Sequence, residues 1–182
     1  MTNKRVKVLE IRLDQLQTER NGLDTRQHRL RMHKQNEQKL MLLSYFDVSD
    51  DKFVCTTSSD DSIRLRYTGD DYGDIVSYQL DHSWERDVNG ERAVTSKIYH
   101  NGSTYKDIDE SILDQSKARF EFMQCAVDFN DDIIAAWNTI EKKYDKLIDT
   151  FRDDIYKLSD AINDQMRDIT DLEKEALTKK IT

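Results

Sequence analysis

The stretch from Ile134 to Leu172, IAAWNTI EKKYDKL IDTFRDD IYKLSDA INDQMRD ITDL, divides into sevens. Ile134, Ile148, Ile155, Ile162 and Ile169 stand first in their heptads, and Trp137, Tyr144, Phe151, Leu158 and Leu172 stand fourth. Only Glu141, Gln165 and the trailing Ala176 interrupt the repeat. Branched residues at the first position, with Leu or aromatics at the fourth, describe a helix that lies along another helix. Proline is absent from all 182 residues, which suits long helices that no ring interrupts.

The opposite end carries a fainter version of the same pattern. Val6, Leu9, Leu13, Leu16, Leu23 and Leu30 keep the register over residues 3–43, while Arg20, Gln27, Lys34 and Glu37 occupy later core positions. Asn21-Gly22 lies inside it, and an interior glycine costs a helix about 1 kcal/mol relative to Ala. The heptad phase survives across that pair, so one continuous helix is expected. At about 1.5 Å per residue the two terminal helices match in length, which favours an antiparallel pair within one chain. A homodimer through the Ile/Leu helix is the rival arrangement, and a four-helix bundle would satisfy both.

Between them the period falls to two. Ile63, Leu65 and Tyr67 alternate with polar residues, and so do Val76, Tyr78, Leu80, His82 and Trp84, then Val94 and Ile98. One-sided alternation is what an antiparallel sheet with one wet face requires. Strands are expected near 52–58, 62–68, 74–84, 91–99 and 103–106, with Asn89-Gly90 and Asn101-Gly102 as hairpin turns. Ile112, Leu113, Ser116, Phe120, Met123 and Val127 form a helical stripe whose target is the oily face. Asn130-Asp131-Asp132 reads as a helix start with acids at its positive end, although nothing forces a break there. The fold class is therefore α+β, with long, coiled-coil-like N- and C-terminal helices flanking a small antiparallel sheet of four or five strands. The divisions are 1–43, a first stalk helix; 44–130, a sheet head with its packing helix; and 131–182, the C-terminal stalk helix.

Charge separates along the chain. Residues 1–40 hold ten Lys/Arg against five Asp/Glu, residues 41–108 seven against thirteen, and residues 109–182 eleven against eighteen, which gives the net −8. The acidic total argues against general nucleic-acid affinity, but the first helix keeps it possible locally. Its centre, TRQHRLRMHK (25–34), offers Arg26, His28, Arg29, Arg31, His33 and Lys34 with no acid. It is the expected partner-binding surface, and Arg64 and Arg66 on the wet face of the sheet are the second. The bland alternative is a solvated face that balances the acidic C-terminal helix. Leu9, Leu16, Leu23, Leu30, Ile148, Phe151, Ile155, Leu158, Ile162, Ile169 and Leu172 are the expected seam of the stalk or oligomer.

Chemistry-bearing motifs are weak. His28 and His33 lie about 140° apart on a helix and cannot share a metal from it. Cys55 and Cys125 read as reduced, buried thiols rather than a disulfide or a metal pair. Asp70-Asp71-Tyr72-Gly73-Asp74 lacks the alternating ligands and closing glutamate of a calcium loop, so it reads as a tight turn. Recurrent acidic pairs such as Asp50-Asp51, Asp60-Asp61 and Asp131-Asp132 suit turns and helix starts. No cofactor and no enzymatic activity are expected. Neither a secretory leader nor a run of eighteen apolar residues is visible, so a cytoplasmic, intracellular location without a membrane is expected. These features point to a non-enzymatic protein–protein interaction module: an adaptor, an assembly factor or an inhibitor of a larger machine. The alternatives are nucleic-acid binding through the basic helix and an acidic mimic of DNA that occupies a DNA-binding protein.

Overall fold

A computed structural model describes residues 2–46, 53–57, 62–68, 76–86, 92–100, 103–105 and 117–181. Helix α1 spans Thr2–Tyr45, five strands follow, and helices α2 (Lys117–Asp128) and α3 (Asn130–Ile181) close the chain. The strands are β1 (Phe53–Thr57), β2 (Ile63–Tyr67), β3 (Val76–Arg86), β4 (Arg92–His100) and β5 (Ser103–Tyr105). The class is α+β, as the change of period from seven to two and back requires. The expected turns at Asn89-Gly90 and Asn101-Gly102 lie outside the described residues. So do the Asp50-Asp51 and Asp60-Asp61 pairs, the Asp70–Asp74 segment, and Ile112, Leu113 and Ser116 of the helical stripe.

Helix α1 runs unbroken through Asn21-Gly22. No atom lies within 4 Å of where a Gly22 Cβ would stand, so packing does not demand the glycine. The Thr25 hydroxyl donates to the Asn21 carbonyl (2.9 Å) within the continuing helix. Between α2 and α3 the chain does break, at the single residue Phe129. The Phe129 amide still donates to the Cys125 carbonyl (3.1 Å), and the Ile133 amide to the Phe129 carbonyl (2.9 Å). Asn130 begins α3, but its side chain does not act as a cap for its own helix. Its Oδ1 accepts hydrogen bonds from the Tyr78 hydroxyl (3.0 Å) on β3 and the Ser96 hydroxyl on β4, pinning the helix junction to the sheet.

Two compact units form. The first combines Met1–Met32 with Tyr144–Thr182; the second is His33–Lys143. In the second, the sheet is a meander in sequence order, β1-β2-β3-β4-β5, with every neighbour antiparallel. Register places Ile63 opposite Leu80, Leu65 opposite Tyr78 and Tyr67 opposite Val76, so the apolar alternates share one face. Tyr78 stands opposite Ile98, and His82 opposite Val94, continuing that face across β4. Leu42 from α1, Phe46 just after that helix, Phe122, Met123 and Ala126 from α2, and Ile133 and Trp137 from α3 cover it. Phe122 stacks on Phe46 with ring centres 5.0 Å apart, and lies 5.8 Å from Phe53. Burying an aromatic of this size stabilises the fold by roughly 3–5 kcal/mol relative to Ala.

The α2 stripe is turned from its expected position. Arg119, Phe122, Met123 and Ala126 face the sheet, Phe120 is half-buried and Val127 is exposed. Two phenylalanines two residues apart leave the helix face ambiguous, and it is Ala126 rather than Val127 that is buried. Of the described members of that stripe, Met123 is the one that is fully buried.

In the first unit α1 and α3 run antiparallel. Residues 4–9 lie beside residues 168–175, and the Gln27 amide donates to the Ile148 carbonyl (3.1 Å). Ile148, Ile155, Ile162 and Gln165 are buried. Leu9, Leu16, Leu23 and Leu30 of α1, and Phe151, Leu158, Ile169 and Leu172 of α3, are half-buried. The pairing of the terminal helices is therefore made within one chain, and two helices alone leave one flank of the half-buried seam residues in contact with water.

Candidate partner-binding surfaces

The basic stretch of α1 divides. Arg26, His28, Arg29 and Arg31 are exposed in the helix-pair unit, and His33 is exposed in the sheet unit. Lys34 is a correction: it is 6% exposed and contributes nothing to the surface. Its Nζ lies 3.0 Å from Glu141 Oε1 on α3, and His82 Nε2 on β3 lies 3.0 Å from that same oxygen. The physical reason is position. Lys34 continues the inward series Gln27, Leu30, Lys34, Gln38 at helical spacing, so its stem enters the core and its charge is matched there. Glu141, which interrupts the heptads of α3, is its answer. Burial pushes the Glu141 carboxyl up, but the His82 hydrogen bond and the Lys34 charge outweigh that, and the net effect holds it below its ordinary value.

Four cations of α3 are tied to acids of their own helix. Arg152 pairs with Asp149 (3.0 Å), Lys157 with Asp154 (3.2 Å), Arg167 with Asp164 (3.5 Å) and Lys174 with Asp171 (4.0 Å). All four are exposed i,i+3 pairs, worth little in stability but enough to occupy the cation. By contrast Arg26, Arg29 and Arg31 make no ion pair or side-chain hydrogen bond among the described residues. Among the described residues, the ion pair of α1 in this unit joins Arg20 to Asp24 of the same helix (3.8 Å). The acidic helix therefore does not neutralise this part of α1, even though the two run side by side.

On the wet face of the sheet, Arg64 stands opposite Gln79, and Arg66 opposite Ser77. Arg64 donates from Nε to Gln79 Oε1 (3.0 Å), and a second guanidinium nitrogen reaches the same oxygen. Its carbon lies 5.2 Å from the centre of the Tyr99 ring. The stacking and the bond hold the guanidinium in one orientation over the face. Lys97, opposite Gln79, and Tyr99, opposite Ser77, belong to this surface, and the sequence reading passed over them. Their signal was available: both occupy alternate positions of β4 out of phase with Val94 and Ile98.

Both cysteines are free and half-buried. Burial pushes the Cys55 thiol up, partly offset by the Lys39 charge; burial and Asp128 push Cys125 up. The Cys125 thiol donates to the Tyr45 carbonyl (3.1 Å). Such thiols are poor nucleophiles. No group of three metal-ligating side chains gathers among the described residues, and no helix there is long and apolar enough to cross a membrane. No protein family, curated protein or solved structure matches the chain. What can be said of its function rests on these surfaces.

Proposed function

We propose that the chain is a non-enzymatic protein–protein interaction module, an adaptor, assembly factor or inhibitor of a larger machine, that engages an acidic patch on its partner through Arg26, Arg29 and Arg31. One observation carries this reading. Three exposed arginines make no ion pair among the described residues, beside a helix rich in carboxylates, four of whose own cations are paired with acids of that same helix. An unmatched guanidinium fork is suited to a carboxylate it can bind through two parallel hydrogen bonds. Desolvated in an interface, arginines of this kind commonly contribute about 2 kcal/mol each or more. The sheet face around Arg64 and Tyr99 is the second surface of the same kind.

Nucleic acid would meet the same arginines through phosphates, but α1 interleaves no aromatic among them on which a base could stack. The acidic-mimic reading is weakened by the paired cations along α3, which break up the negative potential such a surface depends on. The test is capture of tagged protein from its native lysate, in halves treated and untreated with nuclease, repeated with Arg29→Glu/Arg31→Glu. A protein retained by the wild type in both halves and lost by the folded double variant supports the reading. Retention by the variant refutes it, and loss of all bound species after nuclease moves the function to nucleic acid.

A further inference from the structure

At the start of α1 and the end of α3, within the helix-pair unit, the two helices part to leave a groove of about 610 Å³. Val8, Leu9 and Leu172 form its apolar floor; Lys4 and Arg5 line one wall, and Asp168, Asp171 and Glu175 the other. Val8 is 65% exposed, a large apolar side chain facing water. Opposite charges face each other over the floor, yet no ion pair joins the walls among the described residues. The one contact either wall makes there is the loose 4.0 Å approach of Asp171 to Lys174 on its own helix.

We infer that this groove is the docking site for a second copy of the chain. The argument is one of self-complementarity. A twofold axis brings the α1 of one copy against the α3 of the other, so each basic wall meets an acidic wall, and the two apolar floors close on each other. The same set of ion pairs then forms twice from one surface. An unrelated helix would have to carry the same split of charge to do as well. The half-covered leucines of α1 continue the apolar surface away from the groove, which gives the second copy a seam to follow rather than an isolated spot. This site is separate from the arginines assigned to a foreign partner, so either reading can fail alone.

Sedimentation equilibrium of the full chain over about 1–100 µM tests the proposal. A dimer is expected, weakened about tenfold or more by Val8→Glu, which adds a charge where the unpaired chain is open to water and so leaves the fold intact. The decisive arm uses charge reversal. Lys4→Glu/Arg5→Glu makes both walls acidic, and Asp168→Lys/Asp171→Lys/Glu175→Lys makes both basic. Each variant alone should be monomeric, and an equimolar mixture should form the heterodimer, with circular dichroism confirming that both are helical. A wild type that stays monomeric throughout overturns the proposal. So does a dimer indifferent to Val8→Glu, or a pair of reversed variants that dimerise alone. If the reversed variants lose helicity, the Val8→Glu result decides.

Discussion

Replacing Glu141 by Gln keeps the side chain's shape and removes its charge, taking the Glu141 carboxylate away from the buried Lys34 ammonium. The two side chains are 11% and 7% exposed, so solvent screens the pair little. Breaking a buried pair by neutralising one partner costs about 3–5 kcal/mol, because the other charge stays desolvated. For a chain of this length 1 kcal/mol moves the melting temperature by about 2–4 °C, so Glu141→Gln should lower it by roughly 6–20 °C. The assay is thermal unfolding followed by Trp137 fluorescence in a Trp84→Phe background. Trp137 is fully buried one turn from Glu141 and reports the unit that holds the pair. Replacing both partners with apolar residues, Lys34→Met with Glu141→Leu, should recover most of the loss. The pH dependence has a fixed sign. The folded Glu141 is held below the ordinary 4.5 of a glutamate, so its contribution is complete above that value and drains away as pH falls through the lower folded one. Glu141→Gln should erase that part of the acid sensitivity. A melting temperature within 2 °C or so of wild type would refute the buried network.

Ile155→Asp places a charge at a buried seam position of the helix pair; a loss of about 3 kcal/mol or more in the helical transition is expected, and an unchanged melting temperature would discredit the seam. Gln38 is fully buried, and neither atom of its amide finds a partner among the described residues, so Gln38→Met should raise stability by about 1–3 kcal/mol in urea unfolding. A fall would mean that the amide is satisfied. Burial pushes the Tyr78 hydroxyl up to about 12 from its ordinary 10, opposed in lesser degree by the Ser96 hydrogen bond and aided least by Asp131. Because the folded value is the higher, the stability it represents is intact below pH 10 and lost as pH rises towards 12. Tyr78→Phe should flatten alkaline unfolding in that window; an unaltered profile would place the responsible group elsewhere.

Much of this architecture is legible in the chain because its two periods are clean. The alternation in β2 and β3 has a single solution, since a slip of one residue would put Leu65 and Tyr78 in water. The seam of α3 is equally determined: Ile148, Ile155 and Ile162 are buried at exact sevens. What sequence reading missed are answers supplied from a distance. Lys34 looked like a surface cation because its counter-charge, Glu141, lies 107 residues away and was itself read as a flaw in a repeat. Glu37, another interruption in α1, finds Lys143 at 2.7 Å in the same way. The face of α2 was missed for a different reason, because Phe120 and Phe122 compete for the sheet and only the packing of Phe46 and Phe53 chooses between them. Arg64 was legible as a wet-face cation, but its clamp by Gln79 and Tyr99 depends on register.

The antiparallel union of α1 with α3 also sets an order of events at the ribosome. Gln27 must wait for Ile148, 121 residues later, before its bond can form. At ordinary rates of synthesis that delay is roughly 6–24 s. The meander of neighbouring strands can assemble locally in the meantime, since each strand pairs with its neighbour in sequence. Helix α1, born first, spends the interval without its mate. Its scattered charges and interrupted leucine row suit that wait, for a richer apolar stripe would invite aggregation before its partner was made.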